Sequence, residues 1–517
     1  MPGKNPAPRH LLLYSTSPCR QKIPTIHNPR SIAFFPGRVE RLLPISFQMK
    51  KFSSSRLASL AHLRSQNPIC LTVSVAGLLV CQSPSSQAET YVPTAGTTSW
   101  SLNTNWNPAT VPNAVGAAAL FDSPTAARTI TLDAAITAGS LSFNINTNFT
   151  NTISNGTNGS LTLDAAGAGP ATITTNGTTT SLITISATQA WPDSVTINTI
   201  SATSTSVAGA LTLTGLVSGA GGLTKDGPGT LTLATTAKTY LGATMVNAGR
   251  LRLSALGSPA SSSSVTVASG AQITFTGASG TFALGAGSVN LNGIGLAAFP
   301  GAIRADQVGS IVPNAIVLQS LSSINVPGST STLTLNGVVS GPGRLEVGTL
   351  PGDPLTQGKL TLNGDNGYLG GTSVIQGTLE LSASSADLGF GDVTVDGVLT
   401  SGASVANGKL SILTGVANGI SDAATLTLTG GSGVGAADGG FVTLGAGINE
   451  TVGGLVLGGA AQGNGTYGST ASTATFRFDE YFAGTGIVTV IPEPGAATTL
   501  LGGLCALLGL RRSRRTN

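Results

Sequence analysis

The chain has 517 residues, of which only 9% are charged and 5% aromatic, while 70 are glycine. Its formal net charge of +4 hides an acidic body: residues 89–491 carry 10 Lys and Arg against 19 Asp and Glu, a net of −9. This excludes a basic nucleic-acid footprint, and without a Gly-X-Y period the glycine content is not collagenous. The 40% hydrophobic residues recur in patterned runs, which argues against simple disorder. All cysteines (Cys19, Cys70, Cys81, Cys505) and all histidines (His10, His27, His62) lie outside that body. The body therefore holds no disulfide, no Cys/His zinc site and no His-dependent catalytic group, and no cofactor is expected.

Residues 1–48 are rich in Pro and Arg and show no periodicity; they read as unstructured and as an upstream over-extension, with Met49 the expected start. From Met49 the pattern is that of a secretory signal peptide. A basic region runs to Arg64, Ile69–Cys81 is an apolar core, and Pro84 breaks it. Ser86 and Ala88 place small residues before Glu89, so cleavage is predicted between Ala88 and Glu89.

Residues 89–200 read as an N-terminal β region and cap, in which Trp100 and Trp106 are expected to close the open end of a coil stack rather than hold a sugar ring. Residues 201–447 read as the solenoid itself, and residues 448–490 as a closing β module. Short alternating triplets recur: Leu211-Thr-Leu213, Leu231-Thr-Leu233, Leu251-Arg-Leu253, Leu333-Thr-Leu335, Leu360-Thr-Leu362, Leu379-Glu-Leu381. Each puts apolar side chains on one face and polar ones on the other, and no stretch has a helical period. A spacing of 20 residues separates Leu211, Leu231 and Leu251. Even spacing predicts an all-β fold, a right-handed parallel β-helix of about 15–20 coils and roughly 70–100 Å. A β-sandwich array is the alternative, since it too uses short alternating strands.

Two longer units align. LTLTGLVSGAGGL (Leu211–Leu223) matches LTLNGVVSGPGRL (Leu333–Leu345) without a gap. Tyr240-Leu-Gly242, Thr244, Val246, Gly249 and Leu251 match Tyr368-Leu-Gly370, Thr372, Val374, Gly377 and Leu379. The two copies, 211–253 and 333–381, resemble the autotransporter-associated beta strand repeat, Gly-x-Leu-x-Lys-x-Gly-x-Gly-Thr-Leu followed by Asn-Thr-Tyr-x-Gly-x-Thr-x-Val-x-x-Gly-x-Leu. The first copy has Lys238 where that family has Asn; the second has Val347 where it has Lys. The opening Trp100–Trp106 block and the closing Val452–Gly486 block resemble the ends of many secreted proteins that carry this repeat. The resemblance implies a β-solenoid passenger architecture and implies no activity.

Candidate chemistry in the body is thin. Lys225 and Asp226 read as a solvated corner. Asp392 and Asp396 are separated by an even step and are the pair a glycosidase would need; Arg477-Phe-Asp479-Glu480 is the densest charge cluster. Gly430–Gly435 lacks the Asp of a calcium-binding nonapeptide repeat. Asn363-Gly-Asp365-Asn366 offers oxygen ligands but reads as a corner, so no metal and no catalytic residue are expected.

The chain ends VIPEPGAATTLLGGLCALLGLRRSRRTN. Gly495–Leu510 is an apolar run that as a helix would span roughly 24 Å. Arg511, Arg512, Arg514 and Arg515 would remain cytoplasmic by the positive-inside rule. Pro492-Glu493-Pro494, the apolar run and the arginines resemble the PEP-CTERM sorting signal of Gram-negative bacteria. That resemblance implies recognition of Pro492, Glu493 and Pro494 by an exosortase-type enzyme, with Arg511 to Arg515 as the stop. Residues 491–517 would sit in the inner membrane only before processing. An ending of this kind opposes self-secretion through a C-terminal barrel of alternating strands. The predicted function is an exported structural or adhesive rod at the cell surface or in the extracellular matrix, with extracellular polysaccharide as a partner. The alternative is a secreted polysaccharide-degrading β-helix enzyme.

Overall fold

The computed structural model describes residues 88–177, 182–200, 210–348, 358–398, 406–430 and 441–491. The segments read from sequence as a signal peptide, up to residue 87, and as a sorting motif, apolar helix and arginine stop, from residue 492, lie outside the described residues. The chain divides into two units at Ser83/Pro84, and everything described belongs to the second. Among the described residues the regular structure is strand, with a single 3-10 turn at Asn103–Asn105.

Along most of the stack consecutive strands fall on three faces in turn and pair in parallel with the strand one coil earlier; the antiparallel pairs are the first and last turns and short hairpins between faces. On the first face Leu141, Ile173, Ile197, Lys225, Val246 and Val267 stand in one ladder. On the second, Ile130, Ile153, Ile185, Leu213, Leu233, Leu253 and Phe275 do so. On the third, Val312, Leu335, Leu362, Leu381, Ile412 and Leu444 do so. Leu211–Leu213, Leu231–Leu233 and Leu251–Leu253 are buried-intermediate-buried because period two sends the first and third side chains inward. Each inward Leu, Ile or Val removed from water contributes about 1.5–3 kcal/mol, and stacking coils is the only way these short strands obtain that burial. A sandwich array would need antiparallel ladders; the ladders along all three faces are parallel.

The coils are less even than the triplets predict. The step from Leu213 to Leu233 to Leu253 is 20 residues each time. From Ile153 to Ile185 it is 32, and from Leu362 to Leu381 it is 19. The inward strands fix the register, whereas the connections between faces run over the surface and absorb insertions. One such insertion is the hairpin Gly295–Leu296 with Phe299–Pro300. The Arg250 and Arg304 guanidinium groups lie 5.1 and 5.6 Å from the centre of the Phe299 ring, and Gln272 Nε2 donates to the carbonyls of Phe299 and Gly301. About fifteen rungs on the second face give a stack on the order of 70 Å.

Both ends of the stack are covered. At the first coil Trp106–Asn107 turns back antiparallel onto Glu89–Tyr91, which pairs on its other side with Ala118–Asp122. That antiparallel return removes an open sheet edge. Tyr91, Trp100, Trp106, Phe121 and Phe143 pack there with ring centres 4.9–5.9 Å apart. Trp100 Nε1 donates to Pro112 O and Trp106 Nε1 to Trp100 O. Arg128 closes the cluster, donating to Asn151 Oδ1 and to the carbonyls of Pro93 and Asp122. At the other end Glu450–Val452 and its neighbours form a small mixed sheet, Asn449–Val452, Gly465–Gly468, Phe476–Arg477 and Ile487–Val490. Buried Glu450 accepts from the backbone N–H groups of Gly419 and Ile420, which ties that sheet to the coil before it.

Candidate functional site

The two repeat copies build the same local frame. Gly215 and Gly337 sit where a Cβ would meet the carbonyl oxygens of Ala187 and Asn314 at 2.0 and 2.1 Å, so only glycine lets those coils approach. Tyr240 and Tyr368 are fully buried, and their hydroxyls bond to Thr244 and Thr372. Burial pushes both phenol pKa values up. Leu241 and Leu369 follow them and point outward, 59% and 62% exposed. The frames start on different faces, however. Leu211-Thr-Leu213 belongs to the second ladder and Leu333-Thr-Leu335 to the third. The repeat is therefore a rule about neighbouring coils and is indifferent to the face on which it begins.

Lys225 corrects the corner reading. It is fully buried in the first-face ladder between Ile197 and Val246. Its Nζ turns to the corner and donates to the carbonyls of Asp226, Gly227 and Ala248 at 2.9, 2.8 and 3.0 Å. Three carbonyl acceptors match the three N–H bonds of an ammonium, while burial lowers its pKa to about 7. Asp226 does take a surface place, accepting from Asn247 Nδ2. Lys238 is buried too, bonded to Ala234 O and Thr236 O, with its pKa lowered by burial to about 8. In the second copy Val347 and Asn366 stand at these places. Asn366 Oδ1 accepts from Val339 N, and its Nδ2 donates to Asp387 O. These polar residues hold turns together.

The remaining candidates separate. Asp479 accepts from the backbone and hydroxyl of Thr470, and Arg477 Nε donates to Ala474 O, so that cluster is dispersed into local turns. Asn363 pairs with Asn336 and Ser382. Ala88 is exposed, and Glu89 opens the first strand. Pro492, Glu493, Pro494 and Arg511 to Arg515 lie outside the described residues. No group of three or more metal-ligating side chains occurs among the described residues. No helix among them is long and apolar enough to cross a membrane.

Asp392 and Asp396 flank the strand Val393–Val395, one at each end. Asp392 is exposed, and its Oδ1 accepts from Thr425 N at 2.8 Å. Half-buried Asp396 has its pKa raised by burial, an effect opposed by the charge of Arg344. Asp392 instead joins Arg344, Leu369, Gly370, Gly391 and Thr394 around an open groove of about 450 Å3. The Arg344 backbone carbonyl accepts from Ser322 N, but among the described residues its guanidinium makes no hydrogen bond and no ion pair. Sequence reasoning missed this residue because the alignment of the copies treats it as one variable position between Gly343 and Leu345.

The Passenger-associated-transport-repeat family matches residues 223–253 and 357–381. The chain is also 31% identical over 167 residues to the adhesin BmaC autotransporter of Brucella suis biovar 1 (strain 1330). That match covers 31% of this chain and 5% of the relative, so the chain spans a small fraction of the relative's length. No solved structure matches the chain. The first matched stretch is the coil pair holding Lys225, Lys238 and Tyr240; the second holds Asn366 and Tyr368. Both lie inside the parallel solenoid.

Proposed function

We propose that this protein is an exported, surface-exposed adhesive β-solenoid. The observation that carries the reading is the position of the two transport-repeat stretches inside one continuous parallel coil stack, together with the similarity to an adhesin. A solenoid displays a long surface of outward Thr, Ser and Asn, suited to many weak hydrogen bonds along an extended polymer. Extracellular polysaccharide is the partner class that suits such a surface, and binding without turnover is its activity.

The export route in this proposal starts at Met49, with cleavage between Ala88 and Glu89. Pro492-Glu493-Pro494 and Arg511 to Arg515 then act as a sorting signal read by an exosortase-type enzyme, with the apolar run held in the inner membrane before processing. Cell fractionation of the full chain and of a chain ending at residue 490 tests the route. The full chain is expected at the cell surface and the shortened chain elsewhere; an unchanged location rejects the sorting role. Loss of cell attachment to a polysaccharide-coated surface on deletion of the gene tests adhesion itself.

A further inference from the structure

The repeat frame supplies its own comparison for the groove at the second copy. Thr372 N donates to Asp392 O, as Thr244 N donates to Ser264 O in the first copy. The strands Val393–Val395 and Val265–Val267 stack in the same register on Thr372–Val374 and Thr244–Val246. Position for position, the second copy keeps Leu369, Gly370 and Thr394 where the first has Leu241, Gly242 and Thr266. It differs in having Arg344 for Gly222, Gly391 for Ser263 and Asp392 for Ser264, and Phe390 stands three residues before its strand where the first copy has Ser262. Ser262 is buried and bonded to Thr244; Phe390 is 65% exposed. The first copy closes the same frame with other residues at these places, so the frame itself does not demand Arg344 or the exposed ring of Phe390; Asp392 spends one oxygen on Thr425 N.

We propose that the groove of Arg344, Asp392 and Thr394 is a binding site for an uncharged hexose-based glycan. This rests on the surface-adhesive reading and names the ligand class of one site within it. Arg344 offers a fork of N–H donors with no partner of its own. Asp392 and Thr394 offer acceptors, so a pair of neighbouring hydroxyls can donate to one side and accept from the other. Gly370 and Gly391 line the groove with bare backbone, each packed too closely on the neighbouring coil to carry a Cβ, and exposed Leu369 gives it an apolar edge. A volume of about 450 Å3 suits one or two sugar rings. Charge selects against an acidic polymer: Glu346 and Asp396 feel the charge of Arg344, and the body as a whole is at −9.

Calorimetric titration of the full chain with cellohexaose, maltohexaose, mannohexaose and galactohexaose, and with an alginate hexasaccharide as the acidic probe, tests the proposal. At least one neutral hexasaccharide is expected to bind, and more tightly than the acidic one. Arg344→Gly and Asp392→Ser, which install the residues of the first copy, are each expected to weaken that binding tenfold or more with unchanged circular dichroism. Lys409→Met, on the third face, where its Nζ lies 5.4 Å from the centre of the Phe441 ring, is expected to leave it unchanged. Absence of neutral binding, tighter acidic binding, or neutral binding indifferent to both replacements overturns the site. Glycan binding with no surface location would reject the export reading and leave the site standing; surface adhesion with no groove-dependent binding would do the reverse.

Discussion

The two repeat copies share a frame and stabilise it differently. In the first, two lysines enter the solenoid interior and spend their N–H bonds on corner carbonyls. In the second, Val347 replaces one by plain apolar packing between Ile324 and Val374, and Asn366 replaces the other by a neutral amide. The frame therefore demands filled volume and satisfied corner groups, and it accepts a charged or a neutral solution. The outward positions also diverge, from Gly222 and Ser264 to Arg344 and Asp392, and with them the contacts to the neighbouring coil: a Cβ at Gly222 would meet Ala243 O at 2.4 Å, whereas Asp392 Oδ1 accepts from Thr425 N.

The comparison can be broken first at what the copies share. Leu251→Asp and Leu379→Asp, each placing a carboxylate in an inward ladder, are expected to cost more than about 4 kcal/mol. Hydrogen exchange should show protection lost locally around the altered coil in both cases, as nearest-neighbour coupling requires; loss in only one copy would mean the frames are not equivalent. A smaller and one-sided effect is expected from Lys225→Met. It keeps the buried stem and strips three carbonyls of their donor, at about 2–4 kcal/mol by urea unfolding. No replacement at Val347 has that signature.

The lysines also make the first copy sensitive to pH. Lys225 has a folded pKa of about 7 against its ordinary 10.5, so between those values the unfolded chain binds more protons. Stability is therefore expected to rise with pH from about 7 to about 10, by at most ~1.4 kcal/mol per pH unit from this residue. Lys238 adds in the same direction above about pH 8. Melting temperatures across this range should lose most of that slope in Lys225→Met/Lys238→Asn, the second substitution being the residue of the other copy. The smallest effect separates the tyrosines. Tyr240→Phe breaks a chain that continues through Thr244 to Ser262, whereas Tyr368→Phe breaks the bond to Thr372. Losses of about 1–2 and about 1 kcal/mol are expected, read as a difference in unfolding midpoint.

Much of the coil interior was legible in the sequence. Leu-x-Leu triplets flanked by Gly and Asn identify inward strands, and the aligned Tyr-Leu-Gly segments identify a repeated frame. The aromatic end cap was legible in part: Trp100 and Trp106 announced it, whereas Arg128, which ties it together, reads as an ordinary strand cation. The even coil length was misjudged because the 20-residue spacing belongs to the best-preserved repeat, while surface connections elsewhere lengthen the coil without disturbing the ladder. Lys225 was misread because a charged residue beside Asp-Gly-Pro-Gly has the local pattern of a solvated turn. Its burial depends on Ala248, a residue of the following coil, whose carbonyl completes the three acceptors.

The sequence by itself determined an all-β body of short strands, free of Cys and His chemistry, and two copies of one frame. These follow from composition and period two, which are local properties. Only the tertiary structure decided which strands share a face, that the second copy starts one face later, and that Arg344 and Asp392 meet across one groove although 48 residues apart in sequence. Those facts depend on coil length, and coil length is set by surface connections whose sequences carry no periodic signal.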